Sequence, residues 1–473
     1  MSRTITIDPV TRIEGHAKVI LELSDDGQVS SAALVVNELR GFERILVGME
    51  ADRMPLITAR ICGVCPSAHH LAAVKALDAA AGVEAPPAAK LLRELLYMGH
   101  VLHSHVLSLF VLQGPDLILG LDADPSIRNV VGVVQANPEV AKKALRLRTI
   151  GQKINEMVGG RGTHPVTAVA GGITFELTEE KRRILESWLE EGLTLVLELA
   201  SVGKTLLFKL TDRYPDLLTR WVNRTYSMGT VGPDGTLSFY DGLLRMVDEN
   251  GIVVAEFPSH DYDKYLVEKT VAWSYMKPVY FRKDGATHPY RVHTLGRINA
   301  VDRTGTPRAD AELAEFRRIY GRPCHLTVMH TYARLIEMIH VVERAQEILA
   351  DPAIFGETRV PVRFTGSRGI GHVEAPRGSL FHDYTIDDKG IVRAANLIVA
   401  TQQNCDAINT AIEHAAQSYV VGKGDSALLN GIEFAIRCYD PCLACATHAV
   451  GAMPMEIEVR QANRVIHTVR RPL

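Results

Sequence analysis

Hydrophobic positions near the start of the chain alternate with a period of two. Ile5 and Ile7 are separated by Thr4 and Thr6, and Val19, Leu21 and Leu23 alternate with Lys18, Ile20 and Glu22. Asp25-Asp26-Gly27 then supplies a turn before the apolar run 29–36, so the pattern predicts β-strands here. Arg12-Ile13-Glu14-Gly15-His16 lies between the first two strands. After Cys65 the texture changes: Pro66 suits a first helical turn, residues 68–81 are strong helix formers, and 82–87 break the helix. Apolar residues at three-to-four spacing predict long helices over 88–112, 139–159, 178–210 and 311–349, with another over 406–421. The middle, 212–308, is rich in glycine, aromatic and polar residues and reads as loops with short strands. Near the C-terminus Met455-Glu456-Ile457-Glu458-Val459 and Val465-Ile466 flank Gln461-Ala462-Asn463, which predicts a β-hairpin. The fold class expected is α+β and helix-dominated, a central bundle of long helices with β segments at the N- and C-terminal ends.

Composition narrows the function classes. The chain has 473 residues, 47% hydrophobic and 23% charged, which is ordinary globular usage and enough for a large core. Its 52 Lys and Arg against 55 Asp and Glu give a net charge of −3. That removes the broad basic field of a nucleic-acid binder. Apolar runs such as 106–112 fall short of the ~18–20 residues of a bilayer span, so no transmembrane segment is expected. The opening, Met1-Ser2-Arg3-Thr4-Ile5-Thr6-Ile7-Asp8, has no apolar signal region, which favours the cytoplasm.

Cysteine spacing carries the first chemistry. Four of the seven cysteines form two Cys-x-x-Cys pairs, Cys62/Cys65 and Cys442/Cys445. An odd total without a signal segment makes a poor disulfide framework. Two such pairs can place four thiolates on one site, which suits zinc, an iron–sulfur cluster or another soft metal. Arg60 and the helix start after Cys65 favour the thiolate form. A local zinc ribbon would separate its pairs by about 15–20 residues, whereas Cys65 and Cys442 lie 442 − 65 = 377 positions apart. The site must join the two ends of the chain, as a buried catalytic centre would.

Read together, the motifs resemble the large, catalytic subunit of nickel–iron hydrogenases. They are Arg12-Ile13-Glu14-Gly15-His16; Arg40-Gly41-Phe42-Glu43; Arg60-Ile61-Cys62-Gly63-Val64-Cys65 with His69; His103-Ser104-His105; Ala375-Pro376-Arg377-Gly378; and Asp440-Pro441-Cys442-Leu443-Ala444-Cys445-Ala446-Thr447-His448. The Ile-Asp-Pro-Val-Thr-Arg opening and Asn396-Leu397-Ile398-Val399-Ala400-Thr401 look most like the cytoplasmic, cofactor-coupled branch. The resemblance implies reversible heterolytic cleavage of H₂ at a Ni-Fe centre whose iron carries CO and cyanide. It implies terminal nickel ligands Cys62 and Cys442, and bridging ligands Cys65 and Cys445. Cys442 would take the first proton and Glu14 the next. Arg377 would stand over the open metal face and contact cyanide, and Thr401 would donate to a second cyanide. Glu43, the carbonyl of Leu397 and His448 would hold Mg²⁺. Residues 1–448 would form one large catalytic domain, and 449–473 a maturation extension removed by a dedicated endopeptidase. The partners implied are an iron–sulfur small subunit, together with NAD(P)-reducing, diaphorase-type or other electron-acceptor subunits. The three spare cysteines, Cys324, Cys405 and Cys438, show no cluster spacing of their own.

Blander readings stand beside these. The four cysteines could form a structural zinc site in a non-catalytic protein, and the fold could be that of the related respiratory-chain quinone-site subunit, which would lack all four. Glu14 could pair with Arg12 or Arg40, Arg377 with Glu374, and Glu43 could be a solvated charge. His69 and His70 could each meet a backbone carbonyl, and His103 and His105 could be core packing. Two departures from the family pattern are Ser104, where many relatives have aspartate, and Ala400, where many have proline.

Overall fold

The structure is a computed structural model. It describes residues 3–471 except 26, 27, 37, 40, 125, 421–424, 448–454, 462 and 463, and the side chains of these except at 3–5, 419, 420, 425–427 and 455–471. Arg40 and His448 therefore lie outside the described residues.

Strands β1 (Arg3–Ile7), β2 (Ala17–Leu23) and β3 (Val29–Val36) form an antiparallel sheet in that order. Val19, Leu21 and Leu23 are buried, as the period of two requires. The helices used below are α1 (Pro66–Ala81), α2 (Pro87–Val106), α3 (Pro138–Gly159), α4 (Glu179–Arg213), α5 (His293–Ala300), α6 (His330–Ala350), α7 (Cys405–Val420) and α8 (Asp425–Tyr439). Packing runs from α2 to α3, α3 to α4, α4 to α6 and α6 back to α2, which closes the central bundle. The stretch Pro87–Leu112 is long and apolar enough to cross a bilayer, contrary to the expectation from the short apolar runs. However, 83% of its most apolar window is buried within the protein, the profile of a core helix.

The predicted helix over 311–349 is two helices, Pro307–Tyr320 and α6. Gly321, at φ 78°, and Pro323 interrupt it, and neither tolerates a continuous helix well. The stretch predicted over 88–112 is α-helical to Val106 and widens into a π-helical turn, Leu107–Leu112. The middle segment is more ordered than loops: β4 (Tyr226–Val231), β5 (Leu243–Val247) and β6 (Val253–Phe257) form a sheet with β7 (Tyr290–Arg291). A further antiparallel sheet, β8 (Ser367–Ala375), β9 (Gly378–Ile386) and β10 (Val392–Ile398), packs on α1. Strand structure is thus not confined to the chain ends. The tail does pair as a hairpin, β11 (Met455–Gln461) with β12 (Arg464–Arg471).

The contact between β8 and α1 is unusually close. A Cβ on Gly371 would fall 2.0 Å from the Ala72 carbonyl oxygen, and one on Gly369 2.1 Å from that of Ala76. Glycine on the strand and alanine on the helix let two backbones touch. That contact sets the height of α1, and hence of Cys65 and His69, against β9.

Candidate metal centre

Each cysteine pair sits where a helix begins. Cys65 is the N-cap of α1, with Pro66 in its first turn, and Cys62 lies in extended backbone just before it. Cys442 is the N-cap of the short helix Leu443–Ala446, which contains Cys445. All four side chains are buried, and their sulfurs lie within 4.8 Å of one another. The Sγ–Sγ distances are 3.2 Å for Cys62–Cys442, 3.3 Å for Cys65–Cys445, 3.8 Å for Cys65–Cys442 and 2.9 Å for Cys442–Cys445.

The chain ends are stitched together at this point. Glu14 forms a parallel β-bridge with Cys442. The Leu443 amide donates to the Glu14 carbonyl at 3.1 Å, and the Ala444 amide to its Oε2 at 2.9 Å. Gly15, at φ 79°, is required here because a Cβ would sit 2.9 Å from that of Leu443.

Four buried sulfurs this close cannot all be ionised without a metal to hold them. The Cys62 thiol is driven well below its ordinary range, chiefly by hydrogen bonds from Cys442 and then Cys445 and Cys65. Burial pushes Cys442 and Cys445 well above theirs. The amides of Val64 and Cys65 also donate to the Cys62 sulfur, at 3.2 and 3.4 Å. Such a dry, all-sulfur donor set fits a soft metal centre, which would displace the remaining protons.

Arg377, Thr401, His69 and three of the cysteines, Cys65, Cys442 and Cys445, line a small cavity of about 10 Å³ beside the sulfurs. Arg377 is buried, donates through Nε to the Asp440 carbonyl at 2.8 Å, and pairs with the Asp440 carboxylate at 3.0 Å. Burial opposes its charge, but Asp440 and the nearby thiolates more than restore it, so the guanidinium is held cationic. Ser104 is 3.4 Å from Nη1. The Thr401 hydroxyl accepts from the Cys442 amide at 2.9 Å. The Glu14 carboxyl is raised from its ordinary value, mainly by burial and then by the Cys62 charge, and hydrogen-bonds with the Cys442 side chain.

Comparison with known proteins decides the family. Residues 40–141 and 259–448 match the nickel-dependent hydrogenase family, and residues 4–39 a HoxL-like family. The chain belongs to the nickel-dependent hydrogenases. It is 38% identical over 481 residues to the NAD-reducing hydrogenase HoxS subunit beta of Cupriavidus necator, covering 98% of both chains. It is 43% identical over 416 residues to a vhu subunit of the F420-non-reducing hydrogenase of Methanococcus voltae, covering 87% of this chain and 98% of that one. An NAD⁺-reducing [NiFe]-hydrogenase solved in the H₂-reduced state superposes with a TM-score of 0.89 at 39% identity, over 94% of this chain and 99% of that one. This is therefore a hydrogenase catalytic large subunit, and its four-cysteine cluster fits the Ni-Fe site. The structural-zinc and quinone-site readings fall away.

The hydrogenase site also resolves the blander readings. Arg12 pairs with Asp116 at 2.6 Å, and Arg297 with Glu374 at 3.0 Å, so neither Arg12 with Glu14 nor Glu374 with Arg377 forms the alternative pair. Glu43 is buried in the first turn of the helix Phe42–Leu46, which packs on β10, the strand carrying Leu397. His448, the third residue expected there, is outside the described residues. His70 does meet a backbone carbonyl, that of Pro55, at 3.0 Å. His69 does not: its Nε2 lies 3.2 Å from the Cys445 sulfur. His103 and His105 are core residues, the latter 2.8 Å from Glu337. Burial raises the spare thiols Cys324 and Cys438 to about 11 and about 12, so they stay protonated.

Three residues near the hydrogenase centre escaped the sequence. His382 and Tyr384 sit two apart on β9, a spacing that puts both on one face, but β9 itself was not recognised. Asp440 stands in the sequence only as the first residue of its motif; it has a left-handed φ of 47° before Pro441, and its carboxylate meets Arg377.

Proposed function

We propose that this subunit splits H₂ at a nickel–iron centre that Cys62, Cys65, Cys442 and Cys445 would hold. Electrons pass through an iron–sulfur small subunit, then through NAD-reducing subunits, to NAD(P)⁺ in the cytoplasm. The observation that carries the reading is the convergence of four buried sulfurs within 4.8 Å. When bound, such a centre, with CO and cyanide on iron, supplies the Lewis acidity and redox capacity for H₂ ⇌ 2H⁺ + 2e⁻.

The chain's own groups handle protons and polarity. Cys442 takes the first proton and Glu14 the next, since its carboxyl hydrogen-bonds with the Cys442 side chain. Burial raises that carboxyl toward the range in which it both accepts and donates. Arg377, clamped by Asp440, presents a fixed charge to the cavity and cannot rotate away. Because the Thr401 oxygen already accepts from the Cys442 amide, its own proton is free for a cyanide nitrogen. Glu43, the Leu397 carbonyl and His448 would hold Mg²⁺, an oxygen-preferring ion for which a buried carboxylate and a carbonyl are suitable ligands.

Electrons need a partner. Among the described residues no second group of three or more metal-ligating side chains lies close together, so the described residues offer no metal relay for the electrons. The relatives named above are themselves subunits of larger enzymes. The residues after His448 are read as a segment removed on maturation.

Metal analysis and infrared spectroscopy of the purified complex test the centre. Nickel, with iron in excess of it because the iron–sulfur partner adds its own, and bands of metal-bound CO and cyanide are expected; zinc alone would overturn it. H₂-driven reduction of NAD⁺ or NADP⁺ tests the acceptor, and reduction of only some other soluble carrier would replace that part.

A further inference from the structure

Behind Cys445 runs a line of buried side chains that the proton steps above do not use. His69 Nε2 is 3.2 Å from the Cys445 sulfur. His69 Nδ1 is 3.0 Å from His382 Nε2, and His382 Nδ1 is 2.6 Å from the Tyr384 hydroxyl. All three residues are buried. His69 comes from α1, while His382 and Tyr384 come from the same face of β9, and no charged partner interrupts the line.

Each neutral imidazole has one N–H, so the line has only two self-consistent directions. In one, Tyr384 donates to His382 Nδ1, His382 Nε2–H donates to His69 Nδ1, and His69 Nε2–H donates to sulfur. In the other every bond reverses, and the His69 Nε2 lone pair faces Cys445. A thiol at Cys445 satisfies either direction. A metal-bound thiolate has no proton and satisfies only the first, because a lone pair against an anionic sulfur is repulsive.

We infer that Tyr384 is a positioning residue of the centre: its hydroxyl fixes the tautomers of His382 and His69 so that an N–H points at Cys445. The Thr58 side chain also hydrogen-bonds with Tyr384 and gives its own proton to the Met54 carbonyl at 2.8 Å, so the reversed line would send the Tyr384 proton to Thr58, whereas the first line sends it to His382. The inference rests on the reading of Cys445 as a metal-bound thiolate. It makes the bond to Cys445 the end of a three-residue device rather than a local contact. A hydrogen bond withdraws charge from a thiolate and stabilises the more reduced centre.

The test uses the holo-complex with Tyr384→Phe, which keeps the ring and removes only the hydroxyl. Expected is normal nickel content with the midpoint potential of the centre shifted to more negative values, and the stretching bands of the iron ligands shifted to lower wavenumber. A nickel-loaded variant with potential and bands unmoved overturns the inference alone; wild type lacking nickel and iron overturns the centre and the inference together. Should the variant fail to assemble, magnetic resonance of the wild-type complex with ¹⁵N-labelled histidine gives the same answer. Protonated Nε2 and bare Nδ1 on both rings are expected, and a proton on either Nδ1 overturns it.

Discussion

Glu14 does two separable things. Its backbone and one carboxylate oxygen hold the Cys442–Ala444 loop, while in the function proposed its ionisable proton would serve the transfer from Cys442. Glu14→Gln keeps the shape and the acceptor for the Ala444 amide but removes the proton. Nickel content and thermal stability should match wild type, with H₂ turnover down by about 10²–10⁴-fold, the usual weight of one general acid–base group. H₂ uptake assays beside metal analysis check this. Arg377→Lys should cost about 10²-fold or more in turnover with the metals retained, because an ammonium cannot grip the Asp440 carbonyl and carboxylate together. At this scale the sequence was informative where chemistry is concentrated in short motifs. Cys62, Cys65, Cys442, Cys445, Glu14, Arg377 and Thr401 all meet at one place. It was silent where a residue matters through its neighbours: nothing local marks Tyr384, whose interest comes only from His382 two positions back, itself 313 residues from His69.

At the scale of elements, legibility followed period and length. The long amphipathic helices α3 and α4 and strands β2 and β3 were readable because one face of each is buried. The sheet β8–β10 was not, because both faces are covered: on β9 the run Gly378–Tyr384 is buried throughout, which erases the alternation that identifies a strand. The same close packing makes a prediction. Gly371→Val would push side-chain atoms into the backbone of α1, so a loss of about 3 kcal/mol or more is expected, visible in thermal unfolding along with reduced nickel loading. A second prediction concerns the charges that tie elements together. Arg297 on α5 binds Glu337 on α6 at 2.7 Å and Glu374 on β8 at 3.0 Å, and also donates to the Ala375 and Pro376 carbonyls that precede Arg377. Burial alone would raise the Glu337 carboxyl, but Arg297 and then His105 overcome it and hold it at about 2, against an ordinary 4.5. A depressed carboxylate contributes stability above its unfolded value and loses it as pH falls toward its folded one. Glu337→Gln should therefore cost about 3–5 kcal/mol at neutral pH by leaving Arg297 under-compensated. It should also flatten the acid-induced loss of stability between about pH 4.5 and 2 that wild type shows in denaturant titrations.

For the molecule as a whole, the decisive geometry is that the metal site joins the two ends of the chain. Cys62 and Cys65 lie at the start of α1, whereas Cys442 and Cys445 lie at and within the short helix Leu443–Ala446, held by Glu14 and Thr401. Both of those contacts go to backbone amides rather than to the sulfurs. What metal adds is the removal of sulfur protons and the drawing together of the two chain ends, a contribution that folding of either end alone cannot supply. We propose that the residues after His448, with the paired strands β11 and β12, act before the metal arrives, by keeping the second cysteine pair open to incoming nickel. Mass spectrometry distinguishes the cases. Protein from nickel-starved cells should carry Leu473, protein from active enzyme should end at His448, and a chain truncated at His448 from the outset should accumulate without nickel. Active enzyme that retains Leu473 would end this account of the tail while leaving the four-sulfur site untouched.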